Sequence, residues 1–194
     1  MVGRIFTYIV KKSIFWPSLT FIQLLQEFED EGYNCSYVKL QPGDKIPNQK
    51  WDYIFVCSSI VCFETEIEVA TKFFRACKKM FFCGEIGQHL RHLIPDDCTV
   101  ISGNYDFFLQ YLKKNNMQLS DFDTIKSLRI PNGLPEDMGV IDWSRKDLPV
   151  TKHYFYSGKQ KFLPFIFTRG CPYSCFEYCS YPIAQGRKTM HEDV

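Results

Sequence analysis

The sequence has no excess of charge of either sign. It contains 23 Lys and Arg residues against 22 Asp and Glu residues, a formal net charge of +1, and the basic residues form no stripe along any segment. Proteins that bind nucleic acids without sequence specificity need clustered basic residues that displace counterions. We therefore expect no nucleic-acid partner.

Long apolar runs are also missing. The longest covers Ile54–Phe63 and is interrupted by two serines, whereas a helix that spans a bilayer needs about 20 apolar residues. The first ten residues are followed by Lys11 and Lys12, with no small-residue cleavage site. They predict a strand and not a signal peptide, so a membrane is not expected as a partner.

A disulfide framework is not indicated either. The chain of 194 residues has nine cysteines, an odd number, and reduced thiols in the cytoplasm, some of them metal ligands, agree better with that count. Cysteines on predicted strands and helix faces are expected to pack as small apolar residues. These are Cys35, Cys57, Cys62, Cys77 and Cys98.

What the sequence does contain is an alternation of strand and helix patterns. Strands are predicted at 4–10, 35–40, 52–57, 80–83 and 98–101. Helices are predicted at 19–31, with Ser18 as the cap, and at 64–79, 88–93 and 107–113. This order predicts an α/β fold over residues 1–114, with a doubly wound, mainly parallel sheet of the flavodoxin or Rossmann type.

Ligands of such folds bind at the carboxyl ends of the strands. The residues at these predicted ends are Lys11-Lys12-Ser13, Ser58-Ser59, Gly84-Glu85 and Gly103-Asn104. Residues 115–160 are rich in Pro, Gly and charge and have weak periodicity, so they predict a linker. A further strand is predicted at 162–168 and runs directly into a cysteine-rich segment.

That segment reads Thr168-Arg-Gly-Cys171-Pro-Tyr-Ser-Cys175-Phe-Glu-Tyr-Cys179-Ser-Tyr-Pro182. Thiolates are preferred ligands for iron–sulfur clusters and zinc, so three within nine residues can converge on one metal centre. Three cysteines without a nearby fourth ligand leave one metal position open, as catalysis requires. The segment therefore predicts a metal site at Cys171, Cys175 and Cys179.

The phrase Arg169-Gly-Cys-Pro-Tyr-Ser-Cys175 and the following Ser-Tyr-Pro182 resemble the radical S-adenosylmethionine (SAM) superfamily. Its usual spacing is Cys-x3-Cys-x2-Cys after the first strand of a partial (β/α) barrel, whereas here the second gap has three residues. The resemblance implies that Cys171, Cys175 and Cys179 hold a [4Fe–4S] cluster. It also implies that SAM binds the fourth iron and that Tyr178 lies near its adenine.

The subgroup that the segment resembles most has an N-terminal cobalamin-binding domain, and residues 4–113 are similar to that domain. The similarity rests on the strand order, on Pro17-Ser18-Leu19 at the start of the first helix, on Ser58-Ser59 after the third strand and on Gly84 after the fourth. Asp142-Trp143 in the linker also matches a phrase that is common before the barrel. It implies cobalamin at the carboxyl edge of the sheet, near Ser58, Ser59, Val61, Gly84 and Gly103. An Asp-x-His-x-x-Gly motif, which supplies histidine to cobalt elsewhere, is absent, as is common in radical SAM members.

The resemblance implies an enzyme that generates a 5′-deoxyadenosyl radical for cobalamin-dependent methyl transfer or related C–C bond chemistry. It implies an external electron donor, a small-molecule or peptide substrate and a cytoplasmic location. Residues 161–194 would be the start of the radical SAM domain, and we expect the chain to be truncated there and too short for catalysis alone.

Three alternatives remain open on the sequence. The first is a radical SAM protein whose N-terminal domain binds no cobalamin. The second, which concerns that domain alone, is a flavodoxin-like domain that has lost its ligand. The third is a non-catalytic interaction module that uses its thiols to bind zinc or an iron–sulfur cluster.

Overall fold

A computed structural model of the chain describes a part of its residues. The described residues are 19–38, 45, 48–57, 63–84, 86–131, 141–142, 144–145, 155–157, 160–162, 168–169 and 190–191. Two compact units divide the chain and are treated separately below. The first comprises Met1–Asp44, Gly139–Phe167 and Glu192–Val194, and the second comprises Lys45–Met138 and Thr168–His191.

A four-stranded, all-parallel sheet is the centre of the second unit. Its strands are β1 (Trp51–Cys57), β2 (Cys77–Cys83), β3 (Thr99–Gly103) and β4 (Ser127–Ile130). They lie side by side in chain order, so each strand pairs with the next one along the chain. The α/β fold predicted from the alternation of strands and helices is confirmed at this level.

Both faces of the sheet are covered, because the last five residues of β2 and every residue of β3 are buried. A phenylalanine cluster fills one face: the Phe81 ring stacks on Phe55 at 4.7 Å and meets Phe108 and Phe122, each at 5.5 Å. On the other face, a Cβ at Gly87 would lie 2.9 Å from the Phe82 ring. Burial on both faces is characteristic of parallel sheets.

Three helices connect the strands of this sheet. They are α2 (Phe63–Phe73), α3 (Ile86–His89) and α4 (Phe108–Lys114). No helix in the described part of the chain is long and apolar enough to cross a membrane.

The prediction of one helix over 64–79 is wrong in its second half. The helix ends at Phe73, a 3₁₀ turn covers Phe74–Ala76, and β2 begins at Cys77. Pairing with β1 explains the early start, because Cys77 lies opposite Trp51 and the ladder runs on to the end of both strands. Sheet hydrogen bonds thus replace the final helical turn that the apolar spacing favoured.

In the first unit, α1 (Leu19–Asp30) buries the predicted apolar stripe of Ile22, Leu25 and Phe28. The helix stops at Gly32, as predicted, through a Schellman motif. The Gly32 amide donates to the Glu29 carbonyl at 2.9 Å, and the Tyr33 amide donates to the Phe28 carbonyl at 3.0 Å. The rings of Phe28 and Tyr33 meet edge to face, which completes the motif.

Residues 35–38 are not a strand, contrary to the prediction for 35–40. Cys35 and Tyr37 nevertheless pack against Ile22 and Leu25 of α1, together with Ile141. Alternate residues of the segment are therefore packed against the helix, as the alternating pattern predicts, but the segment forms no hydrogen-bonded strand. The strand predicted at 4–10 lies outside the described residues.

The stretch predicted as a linker, 115–160, contains ordered elements. A 3₁₀ helix covers Leu119–Asp123, and β4 follows at Ser127–Ile130 as the fourth strand of the sheet. Its second half includes β5 (Phe155–Ser157), which pairs antiparallel with β6 (Gln160–Phe162). Because this stretch is rich in Pro, Gly and charged residues, the sequence analysis did not predict these short strands.

Only the ends of the strand predicted at 162–168 are described. Phe162 closes β6, while Thr168 opens β7 (Thr168–Arg169), which pairs antiparallel with β8 (Met190–His191). The first strand of a complete (β/α) barrel has parallel neighbours, whereas β7 pairs antiparallel with β8.

Candidate functional site

Because β1 to β4 are parallel, their carboxyl ends share one edge of the sheet. Gly84 directly follows β2, and Gly103 closes β3 opposite Ile130 of β4. The structure therefore brings together two of the five residues predicted to contact cobalamin. Ser58, Ser59 and Val61 lie outside the described residues, although the chain reaches them directly after β1.

Gly84 adopts a backbone conformation that favours glycine, with φ of 128°. Its amide donates to the Ile101 carbonyl at 2.8 Å, and its own carbonyl accepts from the Gly87 amide at 3.2 Å. The residue thus ties the end of β2 to β3 and starts the turn into α3.

The close pairing of β3 with β4 requires a glycine at position 103. Its φ is 76°, and a Cβ built on it would lie only 2.0 Å from the Ile130 carbonyl oxygen. A side chain at this position would push β4 away from β3. The glycine therefore has a structural reason that is independent of any ligand.

Asn104, the next residue, belongs to the strand end that the sequence analysis placed at this edge. It is 8 % exposed and precedes the 3₁₀ turn Tyr105–Phe107, with no capping hydrogen bond from its side chain to that turn. Its carboxamide is not among the buried side-chain groups that lack a hydrogen-bond partner, so its burial does not by itself indicate a ligand.

The predicted metal ligands Cys171, Cys175 and Cys179, and the predicted SAM contact Tyr178, lie outside the described residues. What is described is the chain on either side of them. β7 ends two residues before Cys171, and β8 pairs with β7 through Thr168 opposite His191 and Arg169 opposite Met190. The two ends of segment 170–189 therefore lie next to each other.

The thiols of the described residues have no metal-binding arrangement. Among those residues, no group of three or more His, Cys, Asp or Glu side chains could hold a metal ion. Burial raises the pKa of Cys77 to about 11 and the pKa of Cys98 to about 11. Both thiols are thus protonated at neutral pH, whereas metal binding requires the thiolate.

The packing predicted for Cys35, Cys77 and Cys98 agrees with their surroundings, while the side chains of Cys57 and Cys62 lie outside what the structure describes. Cys98 is fully buried directly before β3, and Cys35 and Cys77 are half-buried free thiols. Burial, and then the charge of Glu29, raise the pKa of Cys35 to about 11. Cysteines of this kind are suitable controls for any test of the Cys171 segment.

No protein-family model, curated protein or solved structure matches this chain.

Proposed function

We propose that this chain belongs to a cobalamin-dependent radical SAM enzyme, with methyl transfer or related C–C bond formation as its chemistry. The observation that carries the proposal is the segment Arg169–Pro182, in which three cysteines follow a short strand. Reduced thiols and a reducible cluster fit a cytoplasmic protein that takes electrons from an external donor.

The donor set of this segment fits a cluster with one open iron position. Cys171, Cys175 and Cys179 supply three soft ligands, which suit iron–sulfur clusters. When bound, the cluster supplies the electron that cleaves SAM to methionine and a 5′-deoxyadenosyl radical. In this chain, the cysteines would hold the cluster and Tyr178 would contact the adenine of SAM.

The paired flanks of the segment support a converging set of ligands. Because β7 and β8 hold residues 168–169 against 190–191, the intervening chain leaves and returns at one place. Closing a loop in this way lowers the entropy that metal binding must otherwise overcome. The antiparallel pairing gives no support to the barrel, so the barrel rests on the cysteine segment alone.

The sheet of the second unit supports the cobalamin part of the proposal. In a flavodoxin-like sheet of strand order 2-1-3-4-5, the last three strands lie side by side in chain order, and β1 to β4 follow one another in the same way with one strand more. Ser58, Ser59, Val61, Gly84 and Gly103 are the residues proposed to surround the corrin. Gly103 gives no separate support to this assignment, because its pairing with Ile130 already requires a glycine.

Zinc binding by a non-catalytic module is the second candidate, and one observation favours it. The β7–β8 register places His191 opposite Thr168, three residues before Cys171. Three cysteines and one histidine form a closed structural zinc set. A closed set would leave no position for SAM, so the two candidates make opposite predictions about His191.

The test is metal content after anaerobic purification and reconstitution with iron and sulfide. We expect about one four-iron cluster per chain and its loss in Cys171→Ala, Cys175→Ala and Cys179→Ala. Cys77→Ala is the matched control, because the Cys77 thiol is half-buried and donates to the Phe74 carbonyl. It should keep the cluster.

His191→Ala separates the two candidates. A radical SAM site keeps its iron in this variant and shows a SAM-dependent change in the electron paramagnetic resonance spectrum of the reduced cluster. A zinc module purifies with zinc and loses it when His191 is replaced. Equal iron loss in Cys77→Ala and in the three other variants would refute the assignment of ligands.

A further inference from the structure

One corner of the second unit brings two separate basic segments together. β1 and β2 start there side by side, with Trp51 opposite Cys77. The end of α2 lies at the same corner, because the Trp51 ring meets the Phe73 ring at 6.1 Å. Lys50 directly precedes β1, and Arg75 is the middle residue of the 3₁₀ turn before β2. Cations that are far apart in the sequence are therefore neighbours in the fold.

This basic corner has four exposed cations and two exposed carboxylates. Its six charged residues are Lys50, Lys72, Arg75 and Lys78, with Glu68 and Asp52. Glu68 pairs with Lys72 and Asp52 pairs with Lys78. Four positive and two negative charges leave a local net charge of +2, although the whole chain carries only +1. The fold thus concentrates positive charge that the overall composition conceals.

Folding uses little of this charge. The side chains of Lys50 and Arg75 form no ion pair and no hydrogen bond with any other described residue. The side chains of Lys72 and Lys78 are 55 % and 79 % exposed in their ion pairs. Exposed pairs of this kind contribute little to stability. The cations of the basic corner therefore remain able to attract an anionic partner.

Trp51 joins the two halves of the basic corner. It follows Lys50 in the sequence, and its ring contacts Phe73, which follows Lys72. Trp51 is only half-buried. Tryptophan and arginine are the residues that most often carry the binding energy of protein interfaces, and interface cores are rich in aromatic side chains. The corner combines an apolar anchor with a surplus of positive charge.

We propose that the basic corner binds a protein partner through an acidic surface segment that also carries an apolar or aromatic side chain. Carboxylates of the partner pair with Lys50 and Arg75, while its apolar side chain contacts Trp51. Nucleic acid fits less well, because it needs a row of cations for its phosphates and two of these four already lie beside carboxylates. A second copy of the chain also fits less well, since a two-fold contact would place like charges together.

The experiment uses the full chain as four proteins: the unchanged chain, Lys50→Glu, Arg75→Glu and Lys114→Glu. Lys114 is exposed at the end of α4, outside the basic corner, so its variant has the same net charge as the other two. Fluorescence anisotropy measures the binding of three labelled probes: poly-L-glutamate, a glutamate–tyrosine copolymer and single-stranded oligothymidine. Sedimentation measures the oligomeric state, and thermal unfolding measures stability.

We expect the copolymer to bind more tightly than poly-L-glutamate, because its rings can contact Trp51. Lys50→Glu and Arg75→Glu should each weaken the binding of both acidic probes about fivefold or more, whereas Lys114→Glu should bind them like the unchanged chain. Binding should weaken as the ionic strength rises, since exposed charges are screened. The melting temperatures of the four proteins should agree, because Lys50 and Arg75 have no ion pair to lose.

Four results would overturn this inference. Equal loss of affinity in Lys114→Glu would show that net charge alone governs binding. Unchanged affinity in Lys50→Glu and Arg75→Glu would place the contact elsewhere. Oligothymidine that binds more tightly than the copolymer, and is lost in the same variants, would assign the corner to nucleic acid. A dimer of the unchanged chain that dissociates in Lys50→Glu would assign it to a second copy. None of these results involves the cluster or cobalamin, so the proposed function is tested separately.

Discussion

A comparison of alanine substitutions at Gly103 and Gly32 measures how much stability one steric contact between strands controls. Both have a positive φ, 76° at Gly103 and 86° at Gly32. A Cβ at Gly32 would meet no atom within 4 Å, whereas a Cβ at Gly103 would lie 2.0 Å from the Ile130 carbonyl oxygen. Alanine at the two positions therefore differs in the clash and hardly at all in the backbone strain.

The expected magnitudes follow from these two terms. A left-handed conformation costs a non-glycine residue about 1–2 kcal/mol, and this should be the whole loss of stability for Gly32→Ala. At Gly103, the clashing atom belongs to the backbone of β4 and cannot rotate away. Relief requires β3 and β4 to separate at their paired ends, Gly103 and Ile130. We expect the total loss for Gly103→Ala to exceed about 3 kcal/mol.

Urea unfolding of both variants, followed by far-ultraviolet circular dichroism, measures these losses. Amide hydrogen exchange adds a local check: Gly103→Ala should raise exchange in β3 and β4, while Gly32→Ala should affect only the end of α1. If the two variants lost equal stability, the close approach of β3 and β4 at Gly103 would be refuted.

Two further predictions concern charge and pH. Arg145→Ala should cost the first unit about 1–2 kcal/mol, since Arg145 is 20 % exposed and donates to Asp30 at 2.6 Å and Glu29 at 3.0 Å. In urea unfolding, Arg145→Lys should recover part of the stability that Arg145→Ala loses. Equal stability of the unchanged chain and both variants would show that the ion pairs of Arg145 do not stabilise this unit. Burial raises the pKa of Cys98 from 9.0 to about 11, so its folded form holds the proton more tightly than the unfolded form. The protonated Cys98 thiol therefore adds to the free energy of unfolding in full below pH 9, and this addition is lost as the pH rises to 11. In Cys98→Ala, the free energy of unfolding should fall less steeply between pH 9 and pH 11. An unchanged slope would contradict the raised pKa.

The sequence was most informative where two signals coincided. At α1, the apolar spacing of Ile22, Leu25 and Phe28 agreed with the stop signal of Gly32, and the helix has the predicted extent. The strand predicted at 52–57 is β1 within one residue, because a run of aromatic and β-branched residues in a short segment rarely suits anything else.

Signals failed where a short element depends on its neighbours. β4 has only four residues, Ser127–Ile130, whose exposure alternates between polar and apolar positions. This pattern was present in the sequence, but four residues among prolines and charges are not distinctive. The early start of β2 at Cys77 depended on pairing with Trp51, a contact that local spacing does not encode.

Polar groups at the amino edge of the sheet hold the loop that leads into β3. The Arg91 guanidinium donates to four carbonyl oxygens of the loop before β3, those of Ile94, Pro95, Asp96 and Cys98. Thr99 at the start of β3 donates to the Ile125 carbonyl. Lys126 donates to the Asp96 carbonyl at 2.6 Å. These groups bind the protein itself.

These bonds bear on where a ligand would bind. At the amino end of β3, a ligand would have to displace bonds that hold the loop before β3, and each displaced bond would reduce its net affinity. At the carboxyl edge, Gly84 and Gly103 fix the backbone at the ends of β2 and β3. A backbone that is already rigid loses less conformational entropy when a ligand binds. Both arguments agree with the edge that parallel α/β sheets use in general for their ligands.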